Sequence, residues 1–342
     1  MFTKVSIRGV QLDAAGLVAL ADLRTIARRT ALIGSASSLD VLYLAPGIHC
    51  QQAASEINGG EYPPSCSMRT GYVFRIENPA TVSFLQRVSK SGHLTTVHVS
   101  QELTRDFRGL FGELFHTEPV ASALFLLGIT VNVCIIGLLG AIRDWWALAV
   151  LGMLMIARFV NVVVIKLRQD KDGFKGTMEK EDKEDDLLVI LSQGRWVHMK
   201  GQANDVKVVS AGQWLREMET LESFAVSFAT LLVYGSAALA GNASTIGGLL
   251  IACLLLVSAG ILGLANAATQ SLHMFGRTVR VEGQRKRYTR RMKMAKRFMK
   301  EFPNREWAEG MGLIKRGQFL PDDFGELFTF KRAASQTHRC AR

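Results

Sequence analysis

Val120–Ala141 reads VASALFLLGITVNVCIIGLLGA, and Trp145–Leu167 follows as WWALAVLGMLMIARFVNVVVIKL. The hydrocarbon core of a bilayer is about 30 Å thick and takes roughly 20 apolar residues of helix to cross. Both stretches meet that requirement. Phe224–Ala240 and Ile246–Thr269 are two further runs of the same character. Ile142–Asp144 and Gly241–Thr245 are the only links inside each pair, so each pair is expected to fold as an antiparallel hairpin. The expected fold class is a membrane all-α bundle of four transmembrane helices, two antiparallel hairpins, with cytoplasmic α+β segments.

Hydrophobic residues make up 48 % of the 342-residue chain, so a large part lies outside these spans. Residues 1–119 are expected to be a cytoplasmic α+β region, with 120–167 the first hairpin. Residues 168–222 form a second cytoplasmic segment, carrying the charged stretch Arg168–Asp186 and short strands. The second hairpin is 223–269, and 270–342 is a basic tail.

Within the first region, apolar spacing predicts an amphipathic helix over 12–33. Leu39–Ala45, Tyr72–Ile76, Val82–Val88 and Leu94–Val99 read as strands, and Gln101–Phe115 as a helix. In the second segment Leu187–Leu191 and Arg195–Lys200 suggest a β-hairpin, with Val206–Val209 a third strand and Trp214–Leu221 a helix entering the third span. Each soluble segment alone leaves strand edges uncovered, so the two are expected to pack as one domain.

The net charge of +11 is concentrated in the tail, where Arg277–Arg342 holds 18 basic and 7 acidic residues. Near the spans, Arg105, Arg108, Lys166, Arg168, Arg277 and Arg280 fall on one side and only Arg143 on the other. The positive-inside rule then places both termini in the cytoplasm. Trp145 and Trp146 sit at a hairpin tip, where indole rings favour the interface.

Arg158 is the most costly residue in the spans. An arginine near the bilayer centre costs about 2.5–3.5 kcal/mol on insertion scales. Asn161 lies one turn further on, and Asn132 lies at similar depth in the first span. Two readings stand. Arg158, Asn161 and Asn132 form a polar seam along a transport path, or Arg158 snorkels and the asparagines bond between helices. Small residues recur as Gly128 and Gly140 in the first span and as Ala259, Gly263 and Ala267 in the fourth, spacing that suits close helix packing.

In the tail, Tyr288, Met292, Ala295, Met299 and Phe302 share one face of an expected helix over Arg285–Phe302. Arg285, Lys286, Arg287, Arg290, Arg291, Lys293, Lys296, Arg297 and Lys300 surround it. Such a cluster inside a membrane anchor suits an anionic lipid surface. The expected partners are therefore the bilayer and its anionic lipids, together with protein partners or a second copy, and not nucleic acid. Lys331–Ser335 has the pattern of a basophilic kinase target.

No catalytic residue, cofactor or metal ligand set is expected. The acidic cluster Glu181, Asp182, Glu184, Asp185 and Asp186 is interrupted by lysines. His49, Cys50, Cys66, His93 and His98 lack the tight spacing of a zinc site. Asp205–Arg277, with VKVVSAGQWL before the third span and GNAST between the last two, resembles segments of uncharacterised multi-pass membrane proteins of filamentous fungi. That resemblance implies no activity. The sequence thus favours a non-enzymatic membrane scaffold or adaptor, with a transporter or channel subunit as the alternative and a membrane-embedded enzyme third.

Overall fold

Four helices carry the apolar runs, and polar residues mark where they start. In the computed structural model, which describes residues 14–101, 118–169, 176–302 and 304–314, Pro119 occupies the first turn of the helix Pro119–Ala141. A proline there loses no hydrogen bond, because first-turn N–H groups have no partner within the helix. Asp144 caps the helix Trp145–Arg168 by accepting from Ala147 N. Ser244 caps Thr245–Ala268 by accepting from Gly247 N. With Thr220–Leu239 these make four helices long and apolar enough to span a membrane. Leu127, Val133, Phe159, Phe228, Leu231 and Leu256 point outward from them, as lipid-facing side chains must.

In chain order the helices are α1 (Ala14–Ala19), α2 (Thr25–Ile33), α3 (Pro79–Val88), α4 (Pro119–Ala141), α5 (Trp145–Arg168) and α6 (Ala203–Ser210). They continue with α7 (Thr220–Leu239), α8 (Thr245–Ala268), α9 (Arg291–Glu301) and α10 (Glu306–Gly310). The strands are β1 (Pro64–Ser67), β2 (Val73–Arg75), β3 (His93–Gln101), β4 (Glu184–Leu191), β5 (Arg195–Gln202), β6 (Ser271–Met274) and β7 (Arg277–Arg287). Two 3-10 segments, Ser38–Leu42 and Ile48–Glu56, lie between α2 and β1.

Chain neighbours are not the main packing partners in the bundle. α4 packs chiefly on α8 and α5 chiefly on α7, while α4 and α5 touch less. The expected hairpins exist as connections, but residues 14–57 come between the helix pairs. Part of the stretch read as soluble thus packs among the apolar helices. α1 packs on α7, α8 and the 3-10 turn Ala240–Asn242 at the hairpin-tip end, with Gly16 against the Ala237 backbone. α2 then runs to the opposite end, where Trp214 Nε1 donates to Gly34 O at 2.8 Å. α1 therefore lies at the end of the bundle away from the sheet.

After Gly34 the chain turns back into the bundle. Tyr43 stacks on Phe125 with ring centroids 4.9 Å apart, and its hydroxyl donates to Ser258 O at 3.0 Å. The apex is Pro46-Gly47. Gly47 has φ +88, with the Leu23 carbonyl against it, so a side chain fits neither the backbone nor the space. Ile48–Glu56 then returns toward the sheet.

The soluble segments build one seven-stranded sheet, in the order β2-β1-β4-β5-β3-β7-β6. The tail contributes two of its strands, which the sequence reading did not anticipate. β3 and β5 are parallel and every other pair is antiparallel. Alternation assigns the faces. Leu187, Val189, Val197 and Met199 pack with Ala27, Val162, Ile165 and Trp214 toward the bundle. Leu188 and Trp196 pack with Met294, Phe298 and Trp307 on the far side. The sheet therefore rests on the helix ends, and α9 and α10 cover its other face.

Several local expectations are corrected. Leu39–Ala45 is 3-10 and loop rather than strand, started by the Ser37–Asp40 capping box. Val82–Val88 belongs to α3, because Asn78 caps it and Pro79 opens it, an entry signal that outweighs β-branched content. Val206–Val209 lies in α6, Trp214–Leu215 is extended, and the 12–33 helix breaks between α1 and α2. Arg285–Arg287 is strand, not helix. The expected helix Gln101–Phe115 falls almost wholly on 102–117, outside the described residues, as does Lys331–Ser335.

Gly128 and Gly140 test this packing within one helix row. A Cβ at Gly128 would sit 2.2 Å from the Tyr43 ring, whereas nothing lies within 4 Å of one at Gly140. Gly128→Leu is expected to cost about 1–3 kcal/mol, the usual range for overpacking, and Gly140→Leu almost nothing. Thermal unfolding of the two variants in detergent checks this. Equal melting points would refute the inserted position of Tyr43.

Candidate functional site

Arg158 is 2 % exposed and does not snorkel. Its Nε donates to Asp40 O at 3.0 Å and its Nη1 to Gln51 Oε1 at 2.7 Å. Both acceptors belong to the inserted stretch. Asp40 is held in turn by Ser37 N, which donates to its Oδ2 at 2.9 Å. In an apolar bundle guanidinium donors must be met inside the protein, and here the chain's own N-terminal part meets them.

Asn161 and Asn132 act in the same way. Gln52 Nε2 donates to Asn161 Oδ1 at 3.1 Å, and Asn161 Nδ2 donates to Ala157 O. Leu44 N donates to Asn132 Oδ1 at 3.2 Å, while Asn132 Nδ2 donates to Gly128 O and Ser258 Oγ. Nearer the sheet, Arg168 Nη1 donates to Gln52 Oε1 at 2.9 Å and its Nε to Arg216 O. The residues of the expected polar seam are thus all buried, and each bonds to residues 38–56.

Arg29 is a second buried guanidinium, which the sequence reading passed over. It is 2 % exposed and lies over the Phe125 ring at 4.8 Å. Its Nε and Nη1 meet no acceptor.

A metal-compatible trio also appears. Asp22, His49 and Cys50 bring their donor atoms within 4.8 Å of one another. Cys50 Sγ donates to Asp22 Oδ1 at 2.6 Å. One oxygen, one nitrogen and one sulfur suit a zinc-like ion. The same contacts also clip the turn after α1 to the Gly47 apex. His49 and Cys50 lacked a partner in the sequence because Asp22 lies on a different element.

On the sheet, Ser67 Oγ donates to Asp185 Oδ1 at 2.7 Å, and Arg69 and Lys207 both pair with Glu179. Burial holds the Asp185 carboxyl above its ordinary range, and hydrogen bonds from Lys207 and Arg69 hold Glu179 below its own. These contacts fasten 177–185 to β1, the turn after it and α6.

The apolar side of α9 is turned to the sheet. Met294, Ala295, Phe298 and Met299 are buried against the sheet, while Met292 faces out. Arg285 Nε donates to Val88 O, and Arg297 bonds to Glu301 and Tyr288. Lys286, Arg287, Arg290, Arg291, Lys293 and Lys300 are exposed, and Lys296 and Arg297 half-buried.

Comparison of the chain with protein-family models, with curated proteins and with solved structures finds no match.

Arg158→Leu strands Gln51 Oε1 and Asp40 O inside the bundle. A stranded buried acceptor costs about 1–3 kcal/mol, so melting should fall clearly and Arg158→Lys should fall less. Gln51→Leu combined with Arg158→Leu should cost less than the sum of the single changes. Strict additivity in that double-mutant cycle would show that the two side chains do not interact.

Proposed function

We propose that the protein is a non-enzymatic, membrane-integrated scaffold whose sheet domain presents a basic surface to an acidic protein partner. The observation that supports this most is how the polar groups of the bundle are used. Arg158, Asn161 and Asn132 bond to residues 38–56, so these groups tie the bundle to the sheet domain. The result is a stiff platform rather than a lined path.

The position of the exposed cations supports the same reading. α9 lies on the sheet face opposite the helix ends. A sheet layer and a helix layer, each about 10 Å thick, therefore stand between its outer face and the bundle. The Debye length at physiological salt is about 8 Å, so attraction to a membrane surface is largely screened there. A protein partner reaches Arg291, Lys293 and Lys300 directly. With the sheet on the side of the membrane-proximal basic residues, the positive-inside rule makes that side cytoplasmic.

Transport has one observation in its favour. Arg29 carries buried donors without acceptors, which would suit an anion.

A photo-crosslinking side chain at the exposed Met292 tests the scaffold in intact cells. Cross-links to protein are expected, and they should disappear when Arg290, Arg291 and Lys293 are changed to glutamate at unchanged expression. Cross-links to lipid alone would overturn the assignment. Chloride flux in proteoliposomes that Arg29→Gln abolishes would favour transport instead.

A further inference from the structure

Two arginines share a cleft where the sheet end of α8 meets α2 and α3. The cleft holds about 480 Å³, within the usual range for small-ligand sites. Arg28 from α2 and Arg87 from α3 stand at its rim, with Thr25, Ser83 and Asn266 among the other lining residues. Arg87 is anchored, since Nη1 donates to Asn266 O at 2.7 Å and Nη2 to Thr269 O at 2.6 Å. Arg28 is exposed and has no acidic partner among the described residues.

Burial lowers the Arg87 guanidinium from its ordinary value, Glu118 opposes this, and the charge of Arg28 lowers it further. Arg28 and Arg87 thus line one cleft, with the Glu118 carboxylate acting on Arg87.

A second, independent observation marks the wall. Asn266 is 7 % exposed, and its Oδ1 has no hydrogen-bond donor. Thr25 Oγ1, also lining the cleft, is buried without a partner. Buried polar atoms are seldom left unpaired, so this wall of the cleft is short of partners within the protein.

The third observation is the floor. Gly263 and Ala267 of α8 line the cleft, and nothing lies within 4 Å of a Cβ built at Gly260 or Gly263. The small-residue row in the fourth span therefore does not serve close helix packing along this part, as the sequence suggested. It leaves an open strip of apolar helix surface that runs up to the cleft lined by the arginines.

We propose that this cleft binds the phosphate of an anionic phospholipid, with Arg28 and Arg87 on the phosphate and an acyl chain along the Gly260–Gly263 face of α8. Asn266 and Thr25 line the cleft beside the glycerol or headgroup. The site is separate from the exposed basic surface of α9 and from the Arg158 bonds.

Phosphatidic acid, phosphatidylcholine and inorganic phosphate, added separately to the detergent-purified protein, test the site by thermal shift and lipid titration. Phosphatidic acid should stabilise the protein and phosphatidylcholine should not. Arg28→Gln, which removes an exposed side chain with no acidic partner among the described residues, should weaken phosphatidic acid binding about tenfold, the order for one charge-assisted hydrogen bond. Gly263→Leu blocks only the chain channel and should weaken the lipid without affecting inorganic phosphate. Arg291→Gln on the far face should change neither.

Equal response to the two lipids would overturn the proposal, as would wild-type phosphatidic acid binding in both Arg28→Gln and Gly263→Leu. Binding of inorganic phosphate with Gly263→Leu neutral toward lipid would identify a free-anion site and overturn the lipid source. Loss of the α9 cross-links leaves all these outcomes unchanged, so failure of the scaffold reading is read separately.

Discussion

A guanidinium in an apolar bundle must find acceptors, and Arg158 finds them on Asp40 and Gln51. Much of the structure follows from that. Meeting those donors brings residues 38–56 between the helices, which moves α4 onto α8 and α5 onto α7. Tyr43 then occupies the space over Gly128, and Asn132 takes the Leu44 backbone N–H. An arginine left to reach water would have required none of this.

The same insertion explains why sheet and bundle form one body. The inserted stretch leaves the helices at Gln52, which bonds both Asn161 and Arg168, and joins the sheet domain at Asn58, whose carbonyl accepts from Gln86. Trp214 and Gln169 fasten the other side by donating to Gly34 O. Movement of the helices and movement of the sheet are therefore mechanically linked through a short polar stretch rather than through a flexible linker.

The spans were legible because length and apolarity alone decide them, and Pro119, Asp144 and Ser244 mark their starts in the sequence. The β4–β5 hairpin was legible from its alternation around Ser192-Gln193-Gly194. Residues 14–57 were not. Asp22, Arg24, Arg28, Arg29 and Asp40 give that stretch the composition of a soluble segment, yet Asp22, Arg24 and Arg28 stay exposed and Asp40 meets Arg158 of a distant helix. For the site, Arg158 and the two asparagines were visible as costly residues. Gln51 and Gln52 carried no signal, because neutral amides are ordinary in soluble loops. The tail misled for a related reason. A basic amphipathic pattern looks the same whether its apolar side meets lipid or a sheet, and the strand Arg277–Arg287 that delivers α9 to the sheet is too polar to stand out.

The hydroxyl of Tyr43 and its acceptor Ser258 are separated by 215 residues of chain. The stretch that fills the bundle is thus made first, and its last partner, α8, is made near the end. Non-local contacts of this span slow folding, because loop closure comes before any reward. During synthesis the polar groups of 38–56 and the donors of Arg158 must wait, one set outside the helices and the other within them. The bundle is therefore exposed to premature closure of α4 on α5, and biogenesis of this chain is a problem of timing as much as of hydrophobicity.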